Sequence, residues 1–183
     1  MGNISGNHDS TRLATVLDET NLRTYYLMEF VLPGIPFVYY GDEIAMEQDQ
    51  DMPSKDGGFY RTGCRTPMQW DLSKNGGFSK TDKELYLPTF VVNKVNVEDA
   101  KKDKNSIYNY IKKLIEIRKQ YPQLTSQDCE VIEEENIITI KRQDLTLIMN
   151  FSDKVMNIDG DKYIIGSNKN KNTLNKFESV LLK

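Results

Sequence analysis

Apolar side chains recur at helical spacing over residues 22–32, and the pattern stops at Pro33. Proline fixes φ and lacks an N–H donor, so we predict that a helix ends there. A short apolar and aromatic run then covers residues 35–40 and ends at Gly41. Such a run is typical of a strand buried on both faces. A helix followed by a buried strand is the order found in parallel α/β sheets, which predicts an α/β fold here.

A second helical pattern occupies residues 107–118. Asn105 or Ser106 precedes it, and either side chain can cap the first turn. Pro122 follows the pattern, so we predict that the helix ends before it and closes the α/β part.

Short β-branched or apolar runs separated by polar turns appear after Pro122, at residues 137–140, 145–149 and 163–165. This pattern predicts antiparallel strands. We therefore predict a small antiparallel β domain over residues 122–183.

Residues 42–103 form a long stretch rich in Gly, Asp, Asn, Ser and Pro, with little periodicity. A connection of this length is usually functional. Its acidic residues do not have the spacing of an EF-hand loop, so we interpret them as a solvated face and predict no metal site.

Composition excludes several classes of protein. The 183 residues are 38% hydrophobic, which predicts a globular fold, and the net charge of −3 gives no reason to expect nucleic acid or an anionic membrane as a partner. No apolar run approaches the ~20 residues that span a bilayer. Cys64 and Cys129 are too few and too far apart for a disulfide framework or a metal site, and they fit a reducing compartment, which predicts a cytoplasmic location.

Three motifs follow one another along the chain. Gly-Asn-His-Asp occupies residues 6–9, Pro-Gly-Ile-Pro-Phe-Val-Tyr-Tyr-Gly-Asp-Glu residues 33–43, and Arg-Thr-Pro-Met-Gln-Trp-Asp residues 65–71. In this order they resemble the last third of an α-amylase superfamily glycosidase (glycoside hydrolase family 13), nearest to the oligo-α-glucosidase branch. The resemblance continues through Gly-Gly-Phe-Ser at residues 76–79 and Asn-Val-Glu at residues 96–98, and spans nearly the whole chain.

The resemblance implies a fold and an activity. Residues 1–121 would be the C-terminal part of a catalytic (β/α)8 (TIM) barrel, and residues 122–183 a C-terminal β domain. The implied enzyme is a retaining hydrolase of α-linked glucose oligosaccharides or polysaccharides, with no cofactor. In this family the nucleophilic Asp and the acid/base Glu precede the Asn-His-Asp motif, so we expect the 183 residues alone to be inactive and, with unpaired strand edges, to self-associate.

The same resemblance gives roles to His8 and Asp9. The family's His and Asp at this motif bind the sugar at the cleavage site, and the Asp stabilises the transition state. A fixed carboxylate there would meet developing positive charge without reorienting water. The alternative is that Asp9 or Ser10 only caps the following segment.

Two arginines complete the predicted substrate-binding set. Arg12 stands where many relatives keep an Arg after the motif, and the Arg equivalent to Arg65 reaches the sugar in similar enzymes. A guanidinium suits vicinal hydroxyls or carboxylates because its donors form a rigid fork. The alternative for Arg65 is a structural ion pair with Asp71 or Glu43.

Aromatic side chains give weaker indications. We interpret Trp70 and Met68 as packing under the loop. We interpret Tyr39 as packing in the strand. Four other aromatic residues are candidates for the wall of the sugar cleft: Tyr40, Phe59, Tyr60 and Tyr86.

Two other functional classes remain open at this point. One is a non-catalytic relative that serves as a sugar-binding or partner subunit. The other is the product of a truncated gene with no independent activity. The coding sequence upstream of Met1 distinguishes them, because strands bearing the two catalytic carboxylates would restore the enzyme.

Overall fold

Helices and strands occupy about half of residues 1–89 and 95–183, which are the residues that the computed structural model describes. The α-helices are α1 (Glu19–Val31), α2 (Val97–Lys102) and α3 (Ile107–Gln120). The strands are β1 (Gly2–Ile4), β2 (Ile35–Phe37), β3 (Glu130–Glu134), β4 (Ile137–Arg142), β5 (Leu145–Asn150), β6 (Met156–Asn157), β7 (Tyr163–Gly166), β8 (Thr173–Leu174) and β9 (Glu178–Leu182).

The chain forms two compact units, each assembled from segments that are distant in sequence. The first unit, which we call the sheet unit, consists of Met1–Asn3, Leu17–Pro36 and Lys113–Lys183. The second, which we call the loop unit, consists of Ile4–Val16 and Phe37–Lys112. The predicted domain boundary at residue 122 divides the chain differently and stays a prediction.

A five-stranded antiparallel sheet is the main feature of the sheet unit, with strand order β3-β4-β5-β9-β7. The predicted strands at residues 137–140, 145–149 and 163–165 are confirmed as β4, β5 and β7. β3 and β9 were not predicted from the sequence pattern. β3 is rich in Glu and lies at the sheet edge, where charge opposes further strand pairing. β9 lies between β5 and β7, a position that depends on long-range pairing.

Helix α1 packs against β5, β7 and β9, although it precedes them by more than a hundred residues. Asp18 caps its start, since its carboxylate accepts a hydrogen bond from the backbone N–H of Asn21 at 2.8 Å. The predicted helix at residues 22–32 is thus confirmed, with its first turn earlier than the apolar pattern indicated. Its buried apolar side chains include Leu22, Tyr26, Leu27 and Phe30.

Two arginines satisfy backbone carbonyls at the C-terminal end of α1. The buried guanidinium of Arg142 donates to the carbonyl oxygen of Val31, and Arg118 donates to those of Phe30 and Gly34. Phe30 and Val31 are in the last turn of α1, where carbonyls lack a partner within the helix, and Gly34 follows the helix. The two arginines also place positive charge at the negative end of the helix dipole.

Strands β1 and β2 form a separate two-stranded sheet. β2 ends at Phe37, and the side chains of Ile35 and Phe37 are 64% and 52% exposed. The prediction of a strand over residues 35–40 that is buried on both faces is therefore wrong for the described residues. Among these residues β2 pairs with β1 alone. Ile35 and Phe37 are alternate residues on one face of the strand, and their exposure shows that this face is not covered.

The stretch at residues 42–103, which the sequence predicted to have little regular structure, lies mostly in the loop unit. It contains short 3-10 helices at Asp42–Ile44, Phe59–Arg65 and Lys74–Gly77, followed by α2. The loop unit has a core of buried side chains, and Met68 packs in it as predicted. The core consists of Ile44, Met46, Met68 and Val97.

Helix α3 confirms the second helical prediction. Ser106 Oγ accepts a hydrogen bond from the backbone N–H of Asn109 at 3.2 Å, so Ser106 is the cap. Among the described residues, no helix is long and apolar enough to cross a membrane. Cys64 and Cys129 are free thiols. The cytoplasmic location stays a prediction.

Candidate functional site

The segment that carries His8 and Asp9 follows β1 and is fixed by backbone and side-chain hydrogen bonds. Ser5 donates its N–H to the carbonyl oxygen of Phe37 at 3.1 Å. The Asn7 side-chain oxygen accepts the N–H of Asp9 at 2.7 Å, which forms an Asx turn. The next helical turn, Leu13–Thr15, has no side-chain cap, so neither Asp9 nor Ser10 caps this turn.

Asp9 is held by three cationic or polar side chains. Its Oδ1 accepts from Arg61 Nη1 at 3.0 Å and from Arg65 Nη2 at 2.8 Å. Its Oδ2 lies 3.3 Å from His8 Nε2. The Asp9 side chain remains 46% exposed, so the carboxylate is both fixed and reachable from solvent.

Opposing effects act on the pKa of Asp9. Desolvation raises it, but the hydrogen bond from Arg65 and the charges of His8, Arg61 and Arg65 together hold it below its ordinary value of 3.8. Asp9 is therefore ionised at neutral pH.

Arg65 contacts both residues of the motif. Its Nε donates to the carbonyl oxygen of His8 at 2.8 Å while its Nη2 binds Asp9. Among the described residues Arg65 forms no ion pair with Asp71 or Glu43, the two partners that the structural alternative requires. The structure thus brings His8, Asp9 and Arg65 together, and their sugar-binding roles stay predictions.

Arg61 is a member of this cluster that sequence analysis missed. It shares the 3-10 helix Phe59–Arg65 with Arg65 and binds the same oxygen of Asp9. A second arginine four positions before Arg65 was the available signal. This signal gave no prediction, because the distance between the two arginines depends on the 3-10 helix that contains them, and the sequence did not predict that helix.

The 3-10 helix Phe59–Arg65 is anchored by small and buried residues. A Cβ at Gly63 would lie 1.8 Å from the carbonyl oxygen of Asp49, so only glycine permits this close approach. The buried Cys64 thiol lies 3.3 Å from the carbonyl oxygen of His8. Burial raises the pKa of Cys64, which keeps the thiol protonated as a donor.

Arg12 is placed differently from the other predicted site residues. It is 1% exposed, and its Nη1 donates to Asp42 Oδ1 at 2.9 Å and to the carbonyl oxygen of Tyr40 at 2.7 Å. Its guanidinium carbon lies 4.9 Å from the ring centroids of both Tyr39 and Tyr40. In the described residues Arg12 is thus a buried ion-pair partner, and its predicted contact with substrate stays a prediction.

Asp42 is the buried partner of Arg12. Desolvation raises the pKa of Asp42 to about 6, although the charge of Arg12 and its hydrogen bond act in the opposite direction. The Arg12–Asp42 pair therefore links the loop after His8 and Asp9 to the turn that follows β2.

A cavity of about 520 Å³ lies beside Arg65 within the loop unit. Trp70 lines this cavity and is 49% exposed, whereas the sequence predicted that it packs under the loop. The lining residues are Tyr40, Glu43, Arg65, Pro67, Met68, Trp70, Phe78, Leu85, Tyr86 and Leu87. Of the four aromatic candidates for a cleft wall, Tyr40 and Tyr86 line this cavity, whereas Phe59 and Tyr60 do not.

Metal-ligating residues do not cluster in the part of the chain that the structure describes. No group of three or more His, Cys, Asp or Glu side chains there could hold a metal ion.

Comparison with known proteins identifies the family. The sequence model of the alpha-amylase family, which describes its catalytic domain, matches residues 2–127. The chain belongs to this family. The match covers the His8 and Asp9 segment, both arginines that bind Asp9, and the cavity. It ends shortly after Pro122.

Curated members of the alpha-amylase family share about a third of their aligned residues with the chain. An alpha-glucosidase of Apis mellifera is 31% identical in an alignment of 175 positions, which covers 85% of this chain and 31% of that protein. An oligo-1,6-glucosidase of Halalkalibacterium halodurans is 30% identical in an alignment of 164 positions, which covers 70% of this chain and 28% of that protein. The chain thus spans about a third of the length of these relatives.

Solved structures with a similar fold include two that align with nearly all of the chain. The isomaltulose synthase SmuA of Protaminobacter rubrum has a TM-score of 0.80 at 22% identity, over 99% of this chain and 42% of that one. The trehalose-6-phosphate hydrolase TreA of Bacillus licheniformis has a TM-score of 0.79 at 22% identity, over 98% of this chain and 42% of that one. At this identity the likeness shows the fold alone.

Proposed function

We propose that the chain forms part of a retaining α-glycosidase that acts on α-linked glucose oligosaccharides or polysaccharides. The observation that carries this proposal is the Asp9 carboxylate, which is ionised, half-exposed and fixed by Arg61 and Arg65. Membership of the alpha-amylase family supports the reaction class, and the names of two relatives, an alpha-glucosidase and an oligo-1,6-glucosidase, support the substrate class.

In the proposed site Asp9 binds the glucose ring at the cleavage point and stabilises its transition state. Glycoside cleavage passes through an oxocarbenium-like species, so positive charge develops on the sugar. A carboxylate already fixed by two guanidinium groups does not have to reorganise when that charge forms. The remaining lone pairs of Asp9 and the exposed imidazole of His8 are available to ring hydroxyls.

Within the proposed enzyme, residues 1–121 are the C-terminal part of a (β/α)8 barrel and residues 122–183 a C-terminal β domain. The similar fold of SmuA and TreA over nearly the whole chain supports this arrangement. In such barrels the active site is built from loops at the carboxyl ends of several strands. We place the nucleophile and the acid/base on strands outside residues 1–183, so these residues alone do not cleave glycosides.

Kinetics on two polypeptides test the proposal. One is the 183-residue chain. The other, which we call the extended polypeptide, is the chain with any coding sequence that precedes Met1 in frame. Hydrolysis of maltose or isomaltose by the extended polypeptide but not by the 183 residues supports the proposal. Activity of the 183 residues alone contradicts the placement of the catalytic carboxylates. Sugar binding without hydrolysis in the extended polypeptide identifies a non-catalytic relative.

A further inference from the structure

The two carboxylate oxygens of Asp9 have different partners. Oδ1 accepts hydrogen bonds from Arg61 Nη1 at 3.0 Å and from Arg65 Nη2 at 2.8 Å. Oδ2 lies 3.3 Å from His8 Nε2 and has no arginine partner among the described residues. A carboxylate oxygen offers roughly two acceptor sites, so the two guanidinium groups use the capacity of Oδ1. Oδ2 is therefore the oxygen that can still accept from a ligand.

The guanidinium of Arg61 is oriented by its own loop. Its Nε donates to the carbonyl oxygen of Gly58 at 3.3 Å, and its Nη2 donates to that of Gly57 at 3.4 Å. With the bond from Nη1 to Asp9, each of the three guanidinium nitrogens has an acceptor within the protein. Arg61 thus approaches Asp9 from a fixed direction, and its donors are engaged before any sugar binds.

Two arginines on one oxygen restrict the rotation of the carboxylate. The terminal torsion of an aspartate is soft, so a half-exposed carboxylate turns easily unless its oxygens are held. Exchange of Oδ1 and Oδ2 at Asp9 would break the bonds from both Arg61 and Arg65. Without Arg61 the same rotation would break the bond from Arg65 alone. Arg61 therefore adds to the orientation of Asp9 and not only to its charge balance.

We propose that Arg61 is a positioning residue for the glycosidase reaction, which holds Oδ1 of Asp9 together with Arg65 so that Oδ2 and His8 meet the sugar. Arg61 acts through Asp9 and does not touch the substrate. The inference rests on the proposed function, because the sugar is the ligand assigned to Asp9.

His8 gives a readout that requires no turnover, since it is the only histidine in the sequence. In the 183-residue chain labelled with [13C]histidine, its imidazole signals respond when Asp9, 3.3 Å away, takes up a proton. Desolvation raises the pKa of Asp9, whereas the hydrogen bond from Arg65 and the charges of His8, Arg61 and Arg65 lower it. Arg61→Met removes one of these charges. The Asp9 step in the His8 signals should therefore move to higher pH than in wild type.

Kinetics of the extended polypeptide separate positioning from sugar contact. Arg61→Met should lower kcat about ten- to hundredfold and leave KM within about threefold, because a displaced catalytic group costs rate more than ground-state binding. Arg61→Lys should keep most of the activity, since an ammonium group still carries the charge to Oδ1. Lys102→Met is the matched control. Lys102 lies in the same unit and pairs with Glu98 at 2.7 Å, so this variant loses a surface ion pair that does not involve Asp9 and should match wild type.

The outcomes separate this inference from the proposed function. A moved Asp9 step with a reduced kcat in Arg61→Met supports the inference. An unmoved step, an unchanged kcat, or a raised KM with unchanged kcat overturns it. If Asp9→Asn abolishes turnover but Arg61→Met keeps it, the inference fails and the proposed function stands. If the step moves but the wild-type extended polypeptide cleaves no α-glucoside, Arg61 holds Asp9 as inferred and the proposed function is wrong.

Discussion

Arg65 Nη2 lies 2.8 Å from Asp9 Oδ1, although the two residues are 56 positions apart in the chain. The same guanidinium donates through Nε to the carbonyl oxygen of His8. Arg65 therefore fixes both the backbone and the carboxylate of the His-Asp motif. Arg65, which is predicted to contact the sugar, therefore also orients His8 and Asp9.

Asp9→Asn should abolish most turnover in the extended polypeptide. The amide keeps the size of the side chain but cannot oppose positive charge on the sugar, and loss of such a stabiliser typically costs ~10²–10³ in rate. Steady-state kinetics and thermal unfolding measure the two effects separately. A rate within about threefold of wild type would show that Asp9 does not stabilise the transition state.

Arg65→Lys should reduce kcat/KM more than it reduces stability. Lysine keeps the charge but cannot bind Asp9 and the His8 carbonyl in one planar fork. The Arg65–Asp9 pair is partly exposed, and exposed ion pairs contribute little to the free energy of unfolding. Arg61→Lys is the matched control, because Arg61 binds only the carboxylate of this motif. A large loss of stability with unchanged kinetics would make Arg65 a structural brace.

Gly63→Ala should destabilise the loop unit strongly. The new Cβ would lie 1.8 Å from the carbonyl oxygen of Asp49, a backbone atom, and overpacking of this kind costs ~1–3 kcal/mol or more. Gly57→Ala is the control, since no atom lies within 4 Å of its Cβ position and only the strain of its φ of +71° remains. Urea unfolding compares them, and equal costs would contradict the close approach at Gly63.

Asp42 should give stability a pH dependence of unusual sign. Burial raises the pKa of Asp42 from 3.8 to about 6, so between these values the native state holds a proton that the unfolded state has lost. The contribution of Asp42 to the free energy of unfolding therefore falls as pH rises from about 4 to 6, by up to ~1.4 kcal/mol per pH unit.

Asp42→Asn tests this sign. Between pH ~4 and ~6 the stability of wild type should fall relative to that of the variant, because only wild type carries the carboxyl whose pKa is raised. Asp9→Asn is the control with the opposite sign, since the lowered pKa of Asp9 adds stability that is lost on acidification. Parallel pH profiles for wild type and Asp42→Asn would show that the pKa of Asp42 is not raised.

The 183 residues should self-associate through the β1–β2 sheet. Among the described residues these strands pair only with each other, and Phe37 is 52% exposed. Phe37→Lys should lower the apparent mass in light scattering, because a charge opposes edge pairing and apolar contact. Val131→Lys on β3 adds the same charge at a site that is 58% exposed, and should have little effect. A wild-type monomer would contradict the prediction.

Sequence alone determined the features that depend on local physics. The apolar spacing and Pro33 located α1, Ser106 and Pro122 delimited α3, and β-branched runs located β4, β5 and β7. The three motifs at residues 6–9, 33–43 and 65–71 identified the family, because their residue types and their order are visible without any structure. Each of these signals lies within a window of a few residues.

Only the tertiary structure decided which distant residues meet. It placed α1 on the β5, β7 and β9 sheet, buried Arg12 against Asp42, and brought Arg61 to Asp9. None of these contacts can be predicted from a short stretch of sequence. The residues next to an arginine do not show whether it lies at the surface or in a buried ion pair. Their energies depend on desolvation and on partners that chain folding alone brings within reach.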